Sequence, residues 1–316
     1  MMYLMIINRL RTILRWLGFL AGGSILLYQI VISIQSVQDK HLSINIPALG
    51  IALAIGIVSF GVQMWAWQII MAALGVRLSY VQVLDGYLPS FLPRYLPGTI
   101  WGYLSRGEWL YQKFGVSYQL SGFGSFLEIL VSLISNVIVI GLGFSTSVVE
   151  AVIIVASGII LSLALFGLLS ISRKLAFKWP WFKKLWPSSY PTLNFGLWIT
   201  SILLFMCTWL LYGIGLAFVL RGVAAIDVGS QVADWIHLGG VYSIAWLFGF
   251  LVLISPAGLG FRELAMAVLV SSQFFLTFEM GGTIGVIARI TVMLSELIWV
   301  AGVLLIQGMN KNWVRR

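Results

Sequence analysis

The chain has 316 residues, of which 60% are hydrophobic and 9% are charged, and its mean hydropathy is +1.01. Soluble domains carry about 25% charged residues, so this composition excludes an ordinary soluble fold and predicts an integral membrane protein. A net charge of +9 would suggest a nucleic-acid partner for a soluble protein. In a membrane protein, basic cytoplasmic loops explain it better, and we expect no nucleic-acid partner.

Six apolar runs are long enough to cross a bilayer, which takes about 20 residues in a helix. They lie at residues 13–36, 47–74, 117–143, 148–171, 193–220 and 281–307. The first run starts among three arginines and is longer than the apolar core of a signal peptide, so we predict an uncleaved first span. Because no long polar segment separates the runs, residues 1–316 are predicted to form a single transmembrane domain without a soluble catalytic domain.

Two further apolar regions, 79–112 and 231–276, are interrupted by proline and glycine and carry ionisable residues. Proline removes backbone hydrogen bonds from a helix, so neither region is expected to form one straight span. Pro97 in the first region and Pro256 in the second lie 159 residues apart (256 − 97), about half the chain. Broken segments at corresponding places in two halves are typical of transporter binding sites.

We therefore predict two pseudo-repeats, residues 47–143 and residues 193–307, each with a re-entrant hairpin. Basic residues cluster at the N-terminus, at Arg77, in residues 173–184 and at the C-terminus, whereas the intervening loops have few. The positive-inside rule then places both termini in the cytoplasm of a multi-pass cell-membrane protein and makes the two repeats inverted. The predicted fold class is an all-α polytopic membrane protein with six full spans and two re-entrant hairpins.

The hairpins predict a buried site for an anion. A helix that begins at Gly98, or at Gly258 or Gly260, presents free N–H groups and the positive end of its dipole, which together bind anions. Arg262 lies about one turn into the second helix, and its guanidinium adds a fork of donors suited to phosphate. The predicted binding residues of the hairpins and of the spans after them are Arg94, Pro97, Gly98, Arg106, Glu128, Pro256, Gly258, Gly260, Arg262, Glu263, Arg289 and Glu296.

Each charged residue in this set also has a structural interpretation. Arg262 can pair with a nearby carboxylate, and the arginines of the first hairpin can extend to the membrane surface. Glu128 and Arg289 fall deep within predicted spans, where ion pairs with each other or with the hairpins would bury both charges. Glu296, near the middle of the last span, is either a proton carrier or a buried partner.

The segments YLPGTIWGYLSRGEWLYQKFGVS and ISPAGLGFRELAMAVLV carry two motifs. The first is a Pro-Gly followed by an Arg, a Gly-Val and a later Glu, and the second is Pro-x-Gly-x-Gly followed by Arg-Glu. With these motifs the chain resembles, over nearly its whole length, the transmembrane region of lysylphosphatidylglycerol synthases, a flippase-like family. The resemblance implies movement of a lipid between leaflets, the lipid being a phospholipid, an aminoacylated lipid or a polyprenyl-phosphate-linked sugar.

Larger members of that family add a cytoplasmic aminoacyl-transfer domain, for which the chain, ending at Arg316, leaves no room. We therefore expect no enzyme activity. No Ser/His/Asp set, metal-ligand pattern or Gly-rich nucleotide loop stands in the sequence, and we expect no cofactor.

Translocation of an anionic lipid is the leading interpretation of the function. A transporter of a small soluble anion and a non-transporting scaffold subunit are the alternatives. Membrane lipids are the expected partners, and a homo-oligomer is compatible with the sequence.

Overall fold

A computed structural model of the chain provides the fold. It describes residues 44–90, 93, 101–176, 194–229, 231–252 and 255–309, together with six positions between residues 23 and 31. Apart from those six positions, the predicted first span lies outside the described residues. The regular structure of the described part is entirely helical.

The described α-helices are α1 (Ile46–Ala73), α2 (Tyr80–Tyr87), α3 (Trp101–Phe114), α4 (Tyr118–Phe144), α5 (Val148–Ala176), α6 (Phe195–Ala224), α7 (Val232–Leu251), α8 (Phe261–Phe274) and α9 (Phe278–Met309). Five of them, α1, α4, α5, α6 and α9, are long and apolar enough to cross a membrane. Their bounds lie within five residues of five predicted runs. The chain is therefore an all-α polytopic membrane protein, as predicted. Its sixth span and the re-entrant course of its hairpins stay predictions.

Short polar side chains begin three of the long helices. Asn45, Ser117 and Asn194 each accept a hydrogen bond from the backbone N–H three residues further on, which satisfies one of the donors that a helix start leaves open. The backbone N–H of Asn45 also donates to the carbonyl of Gly222 at 2.9 Å, so the start of α1 is joined to the end of α6.

Helices α1 and α6 pack along each other at the centre of the bundle, α4 and α7 pack on α6, and α9 packs on both central helices. Two clusters of buried apolar side chains hold these helices together. The first surrounds Phe60 and Trp67 of α1, and the second surrounds Trp209 of α6 and Leu238 of α7. Helix α5 packs mainly on α4 and is the least buried of the five candidate spans.

Both Pro/Gly-broken regions contain a helix interruption. In the first, α2 gives way to a 3₁₀ turn at Leu88–Ser90, and α3 begins at Trp101; the predicted helix start at Gly98 lies outside the described residues, as do Arg94 and Pro97. In the second, a 3₁₀ turn at Pro256–Gly258 follows α7, and Gly260 is the N-cap residue of α8. The second helix start therefore falls where the glycine motif predicts it.

The two halves match closely around the short helices α3 and α8. The structure describes 14 residues in each, and their first described residues lie 160 positions apart (261 − 101), one more than the two motif prolines. Each ends at a residue with positive φ, Gly115 (65°) and Phe275 (52°), and an N-capping hydroxyl of Ser117 or Thr277 then begins the next long helix. The inverted orientation of the repeats stays a prediction.

Candidate functional site

A cavity of about 350 Å³ lies between the two broken regions and the long helices. Ser90 from the first 3₁₀ turn lines it, as do Ala257 and Gly258 from the second. Five charged residues also line the cavity, namely Arg106, Glu128, Arg262, Arg289 and Glu296. The fold thus brings residues from both sequence motifs to one polar cavity within an apolar bundle.

The 3₁₀ turn at Pro256–Gly258 packs closely against α7, because the backbones of Gly258 and Gly249 are in direct contact. A Cβ atom on Gly258 would lie 2.8 Å from the backbone of Gly249, and a Cβ atom on Gly249 would lie 2.9 Å from the Cβ of Arg262. Gly258 also has φ of +69°, a conformation that costs residues with a side chain about 1–2 kcal/mol. These glycines therefore fix the place from which Arg262 extends.

Arg106 of α3 and Glu128 of α4 form a buried ion pair on the cavity wall. Their side chains are 5% and 7% exposed, and the guanidinium is bidentate, with N–O distances of 2.6 and 3.3 Å. The hydroxyl of Tyr87 donates a third hydrogen bond to the Glu128 carboxylate at 3.0 Å. The charge of each member is thus balanced within the protein.

Three aromatic rings enclose the Arg106 guanidinium. Its carbon lies 5.0 Å from the ring centroid of Trp67, 4.6 Å from that of Tyr87 and 5.1 Å from that of Tyr103. Ring faces carry partial negative charge and attract a cation, so they offset part of the cost of burying the guanidinium. Arg106 Nε has no hydrogen-bond partner among the described residues, which is consistent with an aromatic environment.

The second half has a buried ion pair of its own, between Glu263 of α8 and Arg289 of α9. Arg289 Nε lies 3.6 Å from Glu263 Oε1, and Arg289 Nη2 donates to the carbonyl of Ala257 at 3.3 Å. The other carboxylate oxygen of Glu263 accepts the backbone N–H of Gly260 at 2.7 Å. This pair therefore holds together the helix break, the start of α8 and the long helix α9.

Arg262 differs from the other two cavity arginines. It donates from Nη2 to the hydroxyl of Tyr242 on α7, and its guanidinium carbon lies 4.8 Å from the centroid of that ring. The ion pairs of the described residues involve Arg106, Arg221 and Arg289, and none of them involves Arg262. Arg262 thus brings a positive charge to the cavity that no carboxylate of the described residues neutralises through an ion pair.

The family model for the lysylphosphatidylglycerol synthase TM region matches residues 15–301 of the chain. The chain belongs to this family. The matched residues include both broken regions and every residue that lines the cavity. No curated protein matches the chain.

The predicted site residues differ in where they lie relative to the cavity. Glu296 is buried and lines the cavity, whereas Glu263 is buried behind it and does not line it. At the start of α8 the N–H of Gly260 is bound by Glu263 and is therefore not available to an anion. The binding of an anion by the other N–H groups of this helix start stays a prediction. Pro256 opens the 3₁₀ turn that leads to α8.

Sequence reasoning missed the aromatic residues that hold the arginines. Tyr87 and Tyr242 each contact a cavity guanidinium, but in the sequence they resemble the other aromatic residues of the two broken regions. Their one distinguishing signal is that both lie in the segment before a helix break, where a polar hydroxyl can satisfy groups that the break leaves open.

Proposed function

We propose that this member of the lysylphosphatidylglycerol synthase TM region family moves an anionic lipid, either a phospholipid or a polyprenyl-phosphate-linked lipid, between membrane leaflets. The headgroup passes through the cavity while the acyl chains stay in the bilayer. Membership of the family supports a lipid-related role in a membrane. We further propose that the chain lies in the cell membrane with both termini in the cytoplasm and that it has no enzyme activity.

The size of the cavity supports a headgroup rather than a whole lipid as its occupant. Small-molecule sites usually have volumes of about 300–1,000 Å³. At about 350 Å³ the cavity is near the lower end of this range, and long acyl chains would not fit inside it. The chains would therefore have to remain among the many apolar side chains that the long helices expose on their outer faces.

The observation that carries the proposal is that Arg262 belongs to no ion pair of the described residues. Arg106 and Arg289 are committed to carboxylates, and a ligand would have to break an ion pair to use either. Arg262 is held by a phenol, which neutralises no charge, so a phosphate oxygen can approach its remaining N–H groups without that cost. Arg262 is partly buried. A cation withdrawn from water without an ion pair is unfavourable in an apolar bundle, and an anionic ligand would offset this cost.

The experiment measures translocation of a labelled anionic phospholipid by the purified protein in vesicles. We expect Arg262→Ala to slow translocation by about 10- to 150-fold, because charge-assisted hydrogen bonds contribute about 1.5–3 kcal/mol. Arg262→Lys keeps the charge but loses the planar fork, so it should retain part of the activity. Thermal unfolding of the same samples should stay close to wild type, since Arg262 leaves no carboxylate behind.

Arg221→Ala is the matched control, because Arg221 forms an exposed pair with Asp227 and does not line the cavity. It should leave translocation unchanged. A folded Arg262→Ala protein that moves lipid at the wild-type rate would remove Arg262 from the mechanism. Uptake of inorganic phosphate without lipid movement would favour the soluble-anion transporter, and absence of both activities would favour the scaffold subunit.

A further inference from the structure

Besides its charged residues, the cavity has a wall of aromatic rings. Phe250 and Trp246 of α7 stack at 5.0 Å between ring centroids, Trp246 and Trp209 are 4.8 Å apart, and Trp209 and Tyr212 are 6.2 Å apart. All four residues line the cavity. Tyr212 in turn stacks on Tyr242, the residue that holds Arg262. The aromatic wall therefore extends along the cavity as far as Arg262, the arginine proposed to bind phosphate.

Two neutral polar side chains face the same cavity without a partner. The amide of Gln63 on α1 and the hydroxyl of Ser132 on α4 make no hydrogen bond to any described residue. Ser132 is only 7% exposed. Gln63 is partly exposed. Polar side chains that face a cavity and have no partner in the described protein can form hydrogen bonds with a ligand or with water.

Aromatic faces and uncharged hydrogen-bonding groups together suit a polyhydroxylated ring. The C–H groups of such a ring carry partial positive charge and pack against aromatic faces, while its hydroxyls bond to amides and to other hydroxyls. An ammonium headgroup also packs on aromatic faces, but burying its charge without a free carboxylate nearby is costly. Glu128 already accepts hydrogen bonds from Arg106 and Tyr87. Glu296 also has an interaction of its own within the protein.

We propose that the cavity binds a headgroup in which a polyhydroxylated ring, a hexose or an inositol, is joined to a phosphodiester. The phosphodiester contacts Arg262, and the ring lies against Trp209 and Trp246 with its hydroxyls bonded to Gln63 and Ser132. This inference rests on the proposed function and names the substrate class of the same cavity.

The test compares matched lipids in vesicles that contain the purified protein. Phosphatidylinositol is paired with phosphatidylmethanol, and a hexosyl polyprenyl phosphate is paired with the corresponding methyl polyprenyl phosphate. Members of each pair carry the same phosphodiester charge and the same chains, and only one has the ring. We expect the ring-bearing lipid of at least one pair to move about tenfold faster than its methyl counterpart. The pair that shows this difference identifies the ring.

Variants of the neutral groups make the assignment specific. Gln63→Leu and Ser132→Ala should each slow the ring-bearing lipid by about 2- to 10-fold and leave the methyl lipid within about twofold of wild type. Ser125→Ala is the control for Ser132→Ala, because Ser125 is buried on the same helix but does not line the cavity.

Equal rates for ring-bearing and methyl lipids in both pairs would overturn the ring subsite and leave anionic lipid translocation intact. Variants that slow both lipids equally would overturn the roles of Gln63 and Ser132 in ring recognition. If neither lipid moves, the proposed function itself fails, and the inference fails with it.

Discussion

The two buried ion pairs beside the cavity have opposite polarity. In the first half, the short helix α3 provides the cation, Arg106, and the following long helix provides the carboxylate, Glu128. In the second half, the short helix α8 provides the carboxylate, Glu263, and the following long helix provides the cation, Arg289. The pairs also differ in contact distance, 2.6 Å against 3.6 Å.

This reversal explains why the two halves contribute unequally to the site. The short helix of the first half commits its arginine to an ion pair inside an aromatic enclosure, so that arginine supports the wall of the cavity. In the second half the pair is completed by Glu263 and Arg289, which leaves Arg262 of the same short helix available to a ligand. Similar helix frameworks therefore hold an ion-paired arginine in the first half and, in the second, an arginine that is bonded to a tyrosine instead.

The largest effect is expected from breaking the tighter pair. Arg106→Ala leaves Glu128 buried and without its counter-charge, which should lower the free energy of unfolding by about 3–5 kcal/mol. Glu263→Gln should cost less, because the amide oxygen can still accept from Gly260 and Arg289 keeps its bond to the carbonyl of Ala257. Denaturant or thermal unfolding of the purified proteins measures both changes.

The control replaces both members of the pair. Arg106→Met combined with Glu128→Met removes both charges and should recover most of the loss, because well-packed apolar residues often replace a buried ion pair without a net cost. If Arg106→Ala is as stable as the wild type, the Arg106–Glu128 pair does not stabilise the fold.

The next largest loss of stability is expected at Gly258, and it is compared with the loss at Gly115, since both glycines have positive φ. Gly258→Ala introduces a Cβ atom 2.8 Å from the backbone of Gly249, and we expect a loss of about 2–4 kcal/mol from overpacking and the positive φ together. Gly115→Ala is the matched change, since Gly115 has φ of +65° and no heavy atom within 4 Å of its added Cβ. It should lose only about 1–2 kcal/mol. Equal losses in thermal unfolding would show that the close approach of Gly249 contributes nothing.

The smallest effect is a gain in stability at the equivalent helix end of the second half. Phe275 has φ of +52° and is 97% exposed, at the position where the first half has Gly115. Phe275→Gly should therefore raise the free energy of unfolding by up to about 1 kcal/mol. Phe275→Ala removes the ring but keeps the conformational cost, so it should show no such gain in the same unfolding experiment. A gain of the same size in both variants would assign the effect to the ring.

The sequence predicted the described spans and the second helix start because both depend on local properties. A long apolar run has to form a helix in lipid, where every backbone polar group needs a partner within the chain. The sequence Pro256-Ala-Gly-Leu-Gly260 interrupts such a run, since proline lacks a donor and glycine adopts positive φ readily. One cavity is lined by five residues of the predicted set, namely Arg106, Glu128, Arg262, Arg289 and Glu296. Their role in binding an anion stays a prediction.

By itself the sequence determined that the chain is a helical membrane protein with two interrupted regions about 160 residues apart, because composition and helix-breaking residues act locally. Only the tertiary structure decided which charges neutralise each other. Arg106 and Arg262 are both arginines on short helices after a break, and their roles differ because Glu128 lies beside one and Tyr242 beside the other. The strength of a buried charge interaction depends on a few ångströms of distance between helices, and no spacing along the chain specifies that distance.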